Sequence, residues 1–214
     1  MRELHAVLVA GGLASRMGRL AEVRPKALLP FGNTTLLSHH LQALRSHGVT
    51  HATIIAGHLA EVIKSELSAV VPSGIPIDLI AEPTAAGSGG CLRYLPRSQG
   101  PLLVVFADIM SWMDYTALVE LHRRKAAQIT AVVHPNDHPR DSDMVETNAE
   151  GWVMAIRRKP RPATALCRNL ALAGVFVVEP DILGRIPPAG AHDLVHDLVT
   201  SVVNTRGRVL HVRV

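Results

Sequence analysis

The sequence predicts an α/β protein in three layers, in which helices cover both faces of a doubly wound, mostly parallel sheet. Two observations support this class. Short apolar segments alternate with segments of helical periodicity, as expected of strands joined by right-handed crossovers. Glycines or acidic residues follow the apolar segments, namely Gly11, Gly12, Gly57, Glu82 and Asp108. Ligands of such sheets bind beyond the carboxyl ends of the strands, so we expect these residues to share one site.

Residues 1–134 carry most of the alternating elements. Residues 4–10 form a continuous apolar run, which is typical of a central strand buried on both faces. A cap at residues 33–35 begins the first helix, and Gly48 ends it. Further strands are predicted at residues 53–57, 77–81, 102–108 and 129–134, and further helices at residues 60–70 and 114–127.

The pattern changes near residue 135. A polar segment leads into a predicted hairpin, formed by residues 144–147 and 152–156. A strand at residues 170–178, a helix at residues 191–203 and a closing strand at residues 208–214 follow. We therefore expect a single domain over residues 1–214, with a small β insertion in its second half.

Composition argues against several classes of function. The formal net charge is +4, and no block of five like charges occurs, so we expect no nucleic-acid partner. The apolar run at residues 4–10 is too short to cross a membrane, and we expect a cytoplasmic protein with no membrane partner. Cys91 and Cys167 lack a paired spacing and are interpreted as small core residues in a reducing compartment.

The segment after the first strand has the chemistry of a triphosphate site. Residues 10–18 are AGGLASRMG, and residues 24–32 are RPKALLPFG. Paired glycines let the backbone approach a ligand closely, and Arg16 and Lys26 can neutralise phosphate charge. The spacing fits neither the dinucleotide fingerprint G-x-G-x-x-G nor the Walker loop.

These two segments resemble the signature of the sugar-1-phosphate nucleotidylyltransferases. The resemblance implies that the loop holds a nucleoside triphosphate and that Arg16 and Lys26 are catalytic beside the reacting phosphates. Residues 16–18 also resemble the molybdenum-cofactor guanylyltransferases, but the prolines around Lys26 favour the sugar branch. The residues of this loop that are implied to bind nucleotide are Ala10, Gly11, Gly12 and Ser15.

Residues 81–90, AEPTAAGSGG, resemble the loop with which this family recognises the base. The resemblance implies that Glu82, Gly87 and Ser88 bind the nucleotide. A carboxylate at Glu82 can accept hydrogen bonds from N1–H and the N2 amine of guanine, which uracil and thymine cannot offer, so GTP is favoured. Ser88 is also a plausible N-cap of a following helix.

Asp108 stands where the family has an aspartate that binds Mg²⁺. The chemistry agrees, because a hard divalent cation prefers carboxylate and phosphate oxygens. We therefore assign Asp108 as a catalytic residue and metal ligand, with Mg²⁺ as the cofactor. Aspartate is also a common turn residue at the end of a strand.

The second half resembles the part of the family that binds the sugar phosphate, so we divide the chain into a nucleotide-binding half, 1–134, and a sugar-phosphate-binding half, 135–214. Within the family, the chain resembles the heptose and mannose 1-phosphate guanylyltransferase branch, and residues 134–146, HPNDHPRDSDMVE, are similar to a loop of a subgroup associated with heptose phosphate activation. Two positions depart from the family: Arg158 replaces a glutamate, and Leu172 replaces an asparagine. The residues implied to bind the sugar phosphate are Asp143, Glu146, Lys159 and Gly174.

Family members also carry a second metal-binding aspartate beyond the position that corresponds to Val214. Asp193 and Asp197 could replace it only if their helix reached the site, and we expect that helix face to point toward solvent.

The sequence thus predicts transfer of a nucleotidyl group from a nucleoside triphosphate to a sugar 1-phosphate, with release of pyrophosphate. Two alternatives stay open: a non-catalytic subunit that binds nucleotide or sugar phosphate, and a molybdenum-cofactor guanylyltransferase-like enzyme. The expected partners are a nucleoside triphosphate and a sugar 1-phosphate, and the sequence leaves a homo-oligomer open.

Overall fold

The computed structural model describes residues 4–12, 18–19, 23–57, 59–70, 74–138, 142–160 and 168–214. Within these ranges, nine strands form one mixed sheet, and two strands of two residues each form a separate hairpin. The strands are β1 His5–Val9, β2 Pro30–Phe31, β3 Thr34–Thr35, β4 His51–Ala56, β5 Ile77–Ala81, β6 Leu102–Phe106, β7 Ile129–His134, β8 Met144–Thr147, β9 Val153–Arg157, β10 Ala171–Val178 and β11 Val209–Arg213.

The helices cover both faces of this sheet. Their bounds are α1 Leu36–Ser46, α2 Ala60–Val70, α3 Gly87–Gly90, α4 Tyr115–Lys125 and α5 Thr200–Asn204. A π-helical segment, Leu194–Val199, leads directly into α5, and short 3₁₀ turns lie at Lys26–Leu28, Cys91–Tyr94 and Pro180–Arg185. No helix in the described ranges combines the length and the apolar character needed to span a membrane.

The sheet runs in the order β11-β7-β10-β6-β1-β4-β5. β1 pairs in parallel with β4 on one side and β6 on the other, β5 pairs in parallel with β4, and β11 pairs in parallel with β7. β10 lies antiparallel between β6 and β7, and the β8–β9 hairpin joins the sheet through β10. The predicted class, α/β with a mostly parallel sheet and a small β insertion, is confirmed.

Side chains of successive strand residues enter two separate apolar clusters, one on each face of the sheet. Leu8 and Val105 belong to the cluster beneath α1 and α4, whereas Val7 and Val104 belong to the cluster beneath the π-helical segment. This alternation follows from the two-residue period of a strand, and it gives the molecule its three layers.

Cys91 is part of the second cluster and is only 1% exposed. Burial raises the pKa of the Cys91 thiol to about 12, with a smaller contribution from the nearby carboxylate of Glu82. The thiol therefore remains protonated at neutral pH, as expected of a small core residue. Cys167 lies outside the described residues.

Two predicted helix starts are confirmed by their caps. Thr35 Oγ1 accepts the Ser38 N–H at 3.2 Å, and Asp114 Oδ1 accepts the Ala117 N–H at 3.0 Å. The helix predicted at residues 191–203 begins later, at Leu194, and its first six residues are π-helical. The reason is that the backbone N–H and carbonyl of His192 form hydrogen bonds with Ala86, Gly89 and Gly90 instead of with a helix, so helical geometry starts only after that contact.

His122 of α4 is a buried titratable group that affects stability. Its Nδ1 lies 2.8 Å from Thr130 Oγ1, and its Nε2 lies 3.1 Å from Glu179 Oε1. Burial lowers the pKa of His122 below the ordinary 6.5, and the contact with Glu179 opposes this shift only in part. His122 therefore makes its full contribution to the free energy of unfolding above the pKa that it has in the unfolded chain. This contribution is lost as the pH falls through the lower pKa that it has in the folded protein.

We expect the free energy of unfolding from urea denaturation to be smaller at about pH 5.5 than at about pH 7.5, because the unfolded chain binds the proton more readily. The difference between the two pH values should shrink in His122→Gln, which cannot titrate. His51→Gln is the control, because His51 is a partly exposed histidine that pairs with Asp78. An identical pH difference in wild type and His122→Gln would contradict this assignment.

Candidate active site

The carboxyl ends of β1, β4, β5 and β6 open on one edge of the sheet, and residues at the ends of β1 and β6 and just after β5 border a cavity of about 460 Å³. Most of the residues predicted to bind the nucleotide line this cavity. Its walls are Val9, Ala10, Gly11, Gly12, Lys26, Ala27, Glu82, Ala85, Gly87, Ser88, Phe106, Ala107, Asp108, Ala191 and Asp193.

Lys26 and Asp108 meet at this edge. Lys26 Nζ donates to Asp108 Oδ2 at 3.0 Å, and both side chains are partly exposed to the cavity. Lys26 begins a 3₁₀ turn whose next residues, Ala27 and Leu28, are buried and anchor it. Asp108 lies in a turn two residues after β6 ends at Phe106. A cation and a carboxylate are thus held side by side, as required where phosphate and metal charges must be balanced.

The loop that carries Asp108 is fixed by two histidines of α1, which the sequence did not indicate. His40 Nε2 donates to the Ile109 carbonyl at 2.9 Å, and His39 Nε2 lies 3.3 Å from the Ser111 carbonyl. Burial lowers the pKa of His40, which keeps the ring neutral. These contacts position the turn after β6 from the helix that packs beneath it.

Glu82 follows β5, and its side chain approaches Gly11 in the loop after β1, residues 10–12 (below, the glycine loop). Its Oε1 accepts the Ala86 N–H at 3.2 Å. A Cβ added to Gly11 would lie 2.1 Å from Glu82 Oε2, and one added to Gly57 would lie 3.1 Å from the same atom. A side chain at residue 11 would therefore displace the Glu82 carboxylate, which occupies that space and places an acceptor in the cavity wall.

Residues 81–90, the predicted base-recognition loop (below, the base loop), pack against the backbone that precedes the π-helical segment. A Cβ on Gly87 would lie 2.5 Å from the His192 carbonyl oxygen, and one on Gly89 would lie 2.8 Å from Leu194 N. Ser88 Oγ donates to Asp193 Oδ2 at 2.9 Å and accepts the Leu194 N–H at 2.9 Å. Ser88 is thus not an N-cap, because Ala86 occupies that position of α3. The hydroxyl instead ties the two segments together.

Asp193 was expected on a solvent-facing helix, yet it lines the cavity. It caps the π-helical segment, because its Oδ1 accepts the N–H groups of Val195 and His196. Asp197 is exposed, as expected. Asp193 could have been recognised as a helix cap from its place before an apolar periodic segment, but its contact with Ser88, 105 residues earlier in the chain, has no local signal.

Two of the predicted sugar-phosphate residues use their carboxylates in internal contacts. Glu146 forms a two-point ion pair with Arg157, at 2.7 Å and 3.0 Å, and this contact lowers the pKa of Glu146. Asp143 Oδ1 accepts the backbone N–H of Lys159 at 3.0 Å, and its Oδ2 lies 2.5 Å from His196 Nε2. Among the described residues that line the cavity, none belongs to the predicted sugar-phosphate set.

Gly174 adjoins the cavity through its neighbours. It has a positive φ of 77° within β10, where the pairing with β7 shifts register between Leu172 and Phe176. A Cβ on Gly174 would lie 3.2 Å from side-chain atoms of Ile109 and Phe106, and Phe106 lines the cavity. Ser15 and Arg16 lie outside the described residues.

The close approach of Gly11 to Glu82 gives a prediction for stability. We expect Gly11→Ala to lower the free energy of unfolding by about 1 kcal/mol, because the displaced carboxylate loses its hydrogen bond with the Ala86 N–H. Gly12→Ala is the matched control, since no atom lies within 4 Å of its added Cβ. The measurement is urea denaturation of both variants.

The same two substitutions can be measured in a Glu82→Ala background, where the obstructing carboxylate is gone. There the cost of Gly11→Ala should largely disappear, because the two residues interact directly. Equal losses for Gly11→Ala and Gly12→Ala, or an unchanged cost in the Glu82→Ala background, would contradict the contact.

A family model described as "Nucleotidyl transferase" matches residues 5–212. The UTP–glucose-1-phosphate uridylyltransferase of Synechocystis sp. is 26% identical over 219 residues, covering 94% of this chain and 56% of that protein. The mannose-1-phosphate guanylyltransferase of Mycobacterium tuberculosis is 26% identical over 187 residues, covering 86% and 51%. The chain thus spans about half the length of these curated relatives.

Solved structures show the same fold. HddC from Yersinia pseudotuberculosis superposes with a TM-score of 0.80 at 18% identity, covering 98% of this chain and 90% of that chain. A second structure of HddC, complexed with GMP-PN, gives a TM-score of 0.79. Because the family model covers nearly the whole chain, from β1 to β11, this protein belongs to the nucleotidyl transferase family.

Proposed function

We propose that this protein transfers a nucleotidyl group from a nucleoside triphosphate to a sugar 1-phosphate and releases pyrophosphate. One observation carries the proposal: a single cavity at the carboxyl edge of the sheet joins the glycine loop, the base loop, Lys26 and Asp108. The curated relatives support this class, since one is named a glucose-1-phosphate uridylyltransferase and another a mannose-1-phosphate guanylyltransferase. Residues 1–134 would bind the nucleotide, and residues 135–214 the sugar phosphate.

GTP is the proposed nucleotide. Glu82 gives one oxygen to the Ala86 N–H, and its second oxygen faces the glycine loop at the cavity wall. That acceptor suits the N1–H and N2 amine of guanine, whereas uracil offers a carbonyl where guanine has its amine. The structure of HddC with GMP-PN agrees with a guanine nucleotide in this fold.

Mg²⁺ is the proposed cofactor, and the residues at the cavity fit it. Asp108 presents a partly exposed carboxylate to the cavity, and no group of three histidine, cysteine or acidic side chains within the described ranges is arranged to hold a metal alone. Mg²⁺ commonly takes one or two carboxylates and completes its shell with substrate phosphates and water. Asp108 would hold the ion, which would supply positive charge beside the phosphates when bound.

The chain's own residues would act by position and charge. An oxygen of the sugar phosphate attacks the α-phosphorus, and the bond from the α-phosphorus to the oxygen that bridges the α and β phosphates breaks on the opposite side, so that this oxygen leaves with the pyrophosphate. No protein nucleophile is required. Lys26 would leave its pair with Asp108 and neutralise charge that develops on the phosphates. Arg16 would add a second positive charge, and Lys159 would hold the incoming phosphate.

Lys26→Ala tests this assignment. We expect kcat to fall by about 100-fold or more, because the charge that balances the transition state is lost. The thermal midpoint should change little, since the Lys26–Asp108 pair is partly exposed and such pairs contribute weakly to stability. The assay follows pyrophosphate release with GTP, Mg²⁺ and mannose 1-phosphate or glucose 1-phosphate.

The matched control is Lys64→Ala, which removes an exposed lysine of α2 that pairs with Glu61 at 3.7 Å. It should keep the wild-type rate. A Lys26→Ala protein that releases pyrophosphate at nearly the wild-type rate would show that Lys26 has been assigned wrongly.

The base preference is tested with a panel of five nucleoside triphosphates. Wild type should use GTP best, and Glu82→Gln should lose about tenfold or more of its preference for GTP over UTP, since a hydrogen bond to a charged group is worth about 1.5–3 kcal/mol. Rates are compared as kcat/KM. An unchanged preference in Glu82→Gln would mean that another group recognises the base.

The same panel separates the other two interpretations. Binding of nucleotide without pyrophosphate release in every combination would indicate a non-catalytic subunit. Consumption of GTP only with a pterin acceptor would indicate a molybdenum-cofactor guanylyltransferase-like enzyme.

A further inference from the structure

Asp143, immediately before β8, connects two parts of the second half of the chain. Its Oδ1 accepts the backbone N–H of Lys159, and its Oδ2 contacts His196 Nε2 in the π-helical segment. The side chains of Asp143 and His196 are 16% and 21% exposed. The carboxylate is therefore largely closed to solvent, and both of its oxygens already have partners.

Arg158 fixes the protonation pattern of the His196 ring. Its Nη2 lies 2.6 Å from His196 Nδ1. A guanidinium can only donate, so Nδ1 must be the unprotonated acceptor. The ring proton then lies on Nε2, which donates to Asp143 Oδ2 at 2.5 Å. This contact also accounts for arginine at residue 158, because a glutamate there could not donate to Nδ1.

The other side of His196 connects to the cavity. Its backbone N–H donates to Asp193 Oδ1 at 2.8 Å, and Asp193 Oδ2 accepts the hydroxyl proton of Ser88 at 2.9 Å. Ser88 and Asp193 both line the cavity. A continuous series of hydrogen-bonded groups therefore runs from the cavity wall through the His196 residue to the backbone of Lys159.

We propose that His196 is a positioning residue that holds Lys159 in place relative to the nucleotide cavity and thereby sets the affinity for the phosphate of the second substrate. The identity of that substrate rests on the proposed function. Loss of the ring would leave Asp143 Oδ2 without this partner and would release Arg158, so the segment after β9 that carries Lys159 would lose its anchor to the π-helical segment. Lys26 and Asp108 have no contact with His196, so turnover at saturation should persist.

The test compares two substitutions of His196. His196→Phe keeps an aromatic ring but removes both polar contacts, whereas the amide of His196→Gln can donate to Asp143 and accept from Arg158. At saturating GTP we expect His196→Phe to raise KM for the sugar 1-phosphate by about tenfold or more, while kcat and KM for GTP stay within about twofold. His196→Gln should restore most of the affinity.

The matched control is His211→Phe, which removes another half-buried histidine whose ring contacts the Gly151 carbonyl. It should leave KM for the sugar phosphate unchanged. An unchanged KM in His196→Phe, or an equal rise in His196→Phe and His211→Phe, would overturn the proposal.

A second readout does not depend on activity. Nitrogen chemical shifts of the His196 ring should place the proton on Nε2 rather than on Nδ1, and Arg158→Met should weaken this preference. A ring protonated on Nδ1 in the wild type would contradict the network and overturn the proposal.

The failure of this proposal can be told apart from that of the proposed function. If wild type binds mannose 1-phosphate or glucose 1-phosphate without releasing pyrophosphate, the proposed function alone fails. The dissociation constants of wild type, His196→Phe and His196→Gln for the same sugar phosphate, measured by calorimetry, would then decide the positioning role with the same expected order. If no sugar phosphate binds, both proposals are overturned.

Discussion

The parallel pairing of β1 with both β4 and β6 is the constraint on which the rest of the site depends. Val9 is level with Ile55 and Phe106, and the ladder continues by one step, since the Ala10 N–H donates to the Ile55 carbonyl and the Ala107 N–H donates to the Val9 carbonyl. The glycine loop and the turn with Asp108 therefore start from the same level of the sheet. Any slip of register would move one of them away from the other.

The base loop depends on a second kind of constraint, the close approach of two backbones. Gly87 and Gly89 leave no room for side chains because residues 192–194 lie against them. The glycines thus serve packing within the protein as well as access for a ligand. This contact joins a loop of the first half of the chain to the start of the π-helical segment, so the cavity has walls from both halves.

The sequence predicts the elements and the edge where the site lies because these depend on local patterns. Residues 60–70, 77–81 and 129–134 have the predicted bounds, and Glu82 and Asp108 lie at the predicted edge. The insertion of β10 between β6 and β7 has no local signal, because strand order is decided by packing of distant segments. The same limit applies to side-chain partners.

The partner of Ser88 illustrates this limit. A serine near the start of a helix suggests a cap, yet its hydroxyl bonds to Asp193, which only the folded chain brings near. Likewise, the family resemblance implies ligand contacts for Asp143, which precedes β8, and for Glu146 within β8, while the structure gives both carboxylates partners within the protein. The chemistry of a residue is visible in the sequence, but the groups that compete for it are not.

The buried thiol of Cys91 has a practical consequence. It lies directly after α3, behind the base loop, with its Sγ donating to the Ser88 carbonyl. Only a thiolate reacts readily with alkylating reagents, and this thiol is both protonated and enclosed. Modification of Cys91 therefore requires the base loop to separate from the core. The rate at which Cys91 is alkylated thus measures how often this wall of the cavity opens.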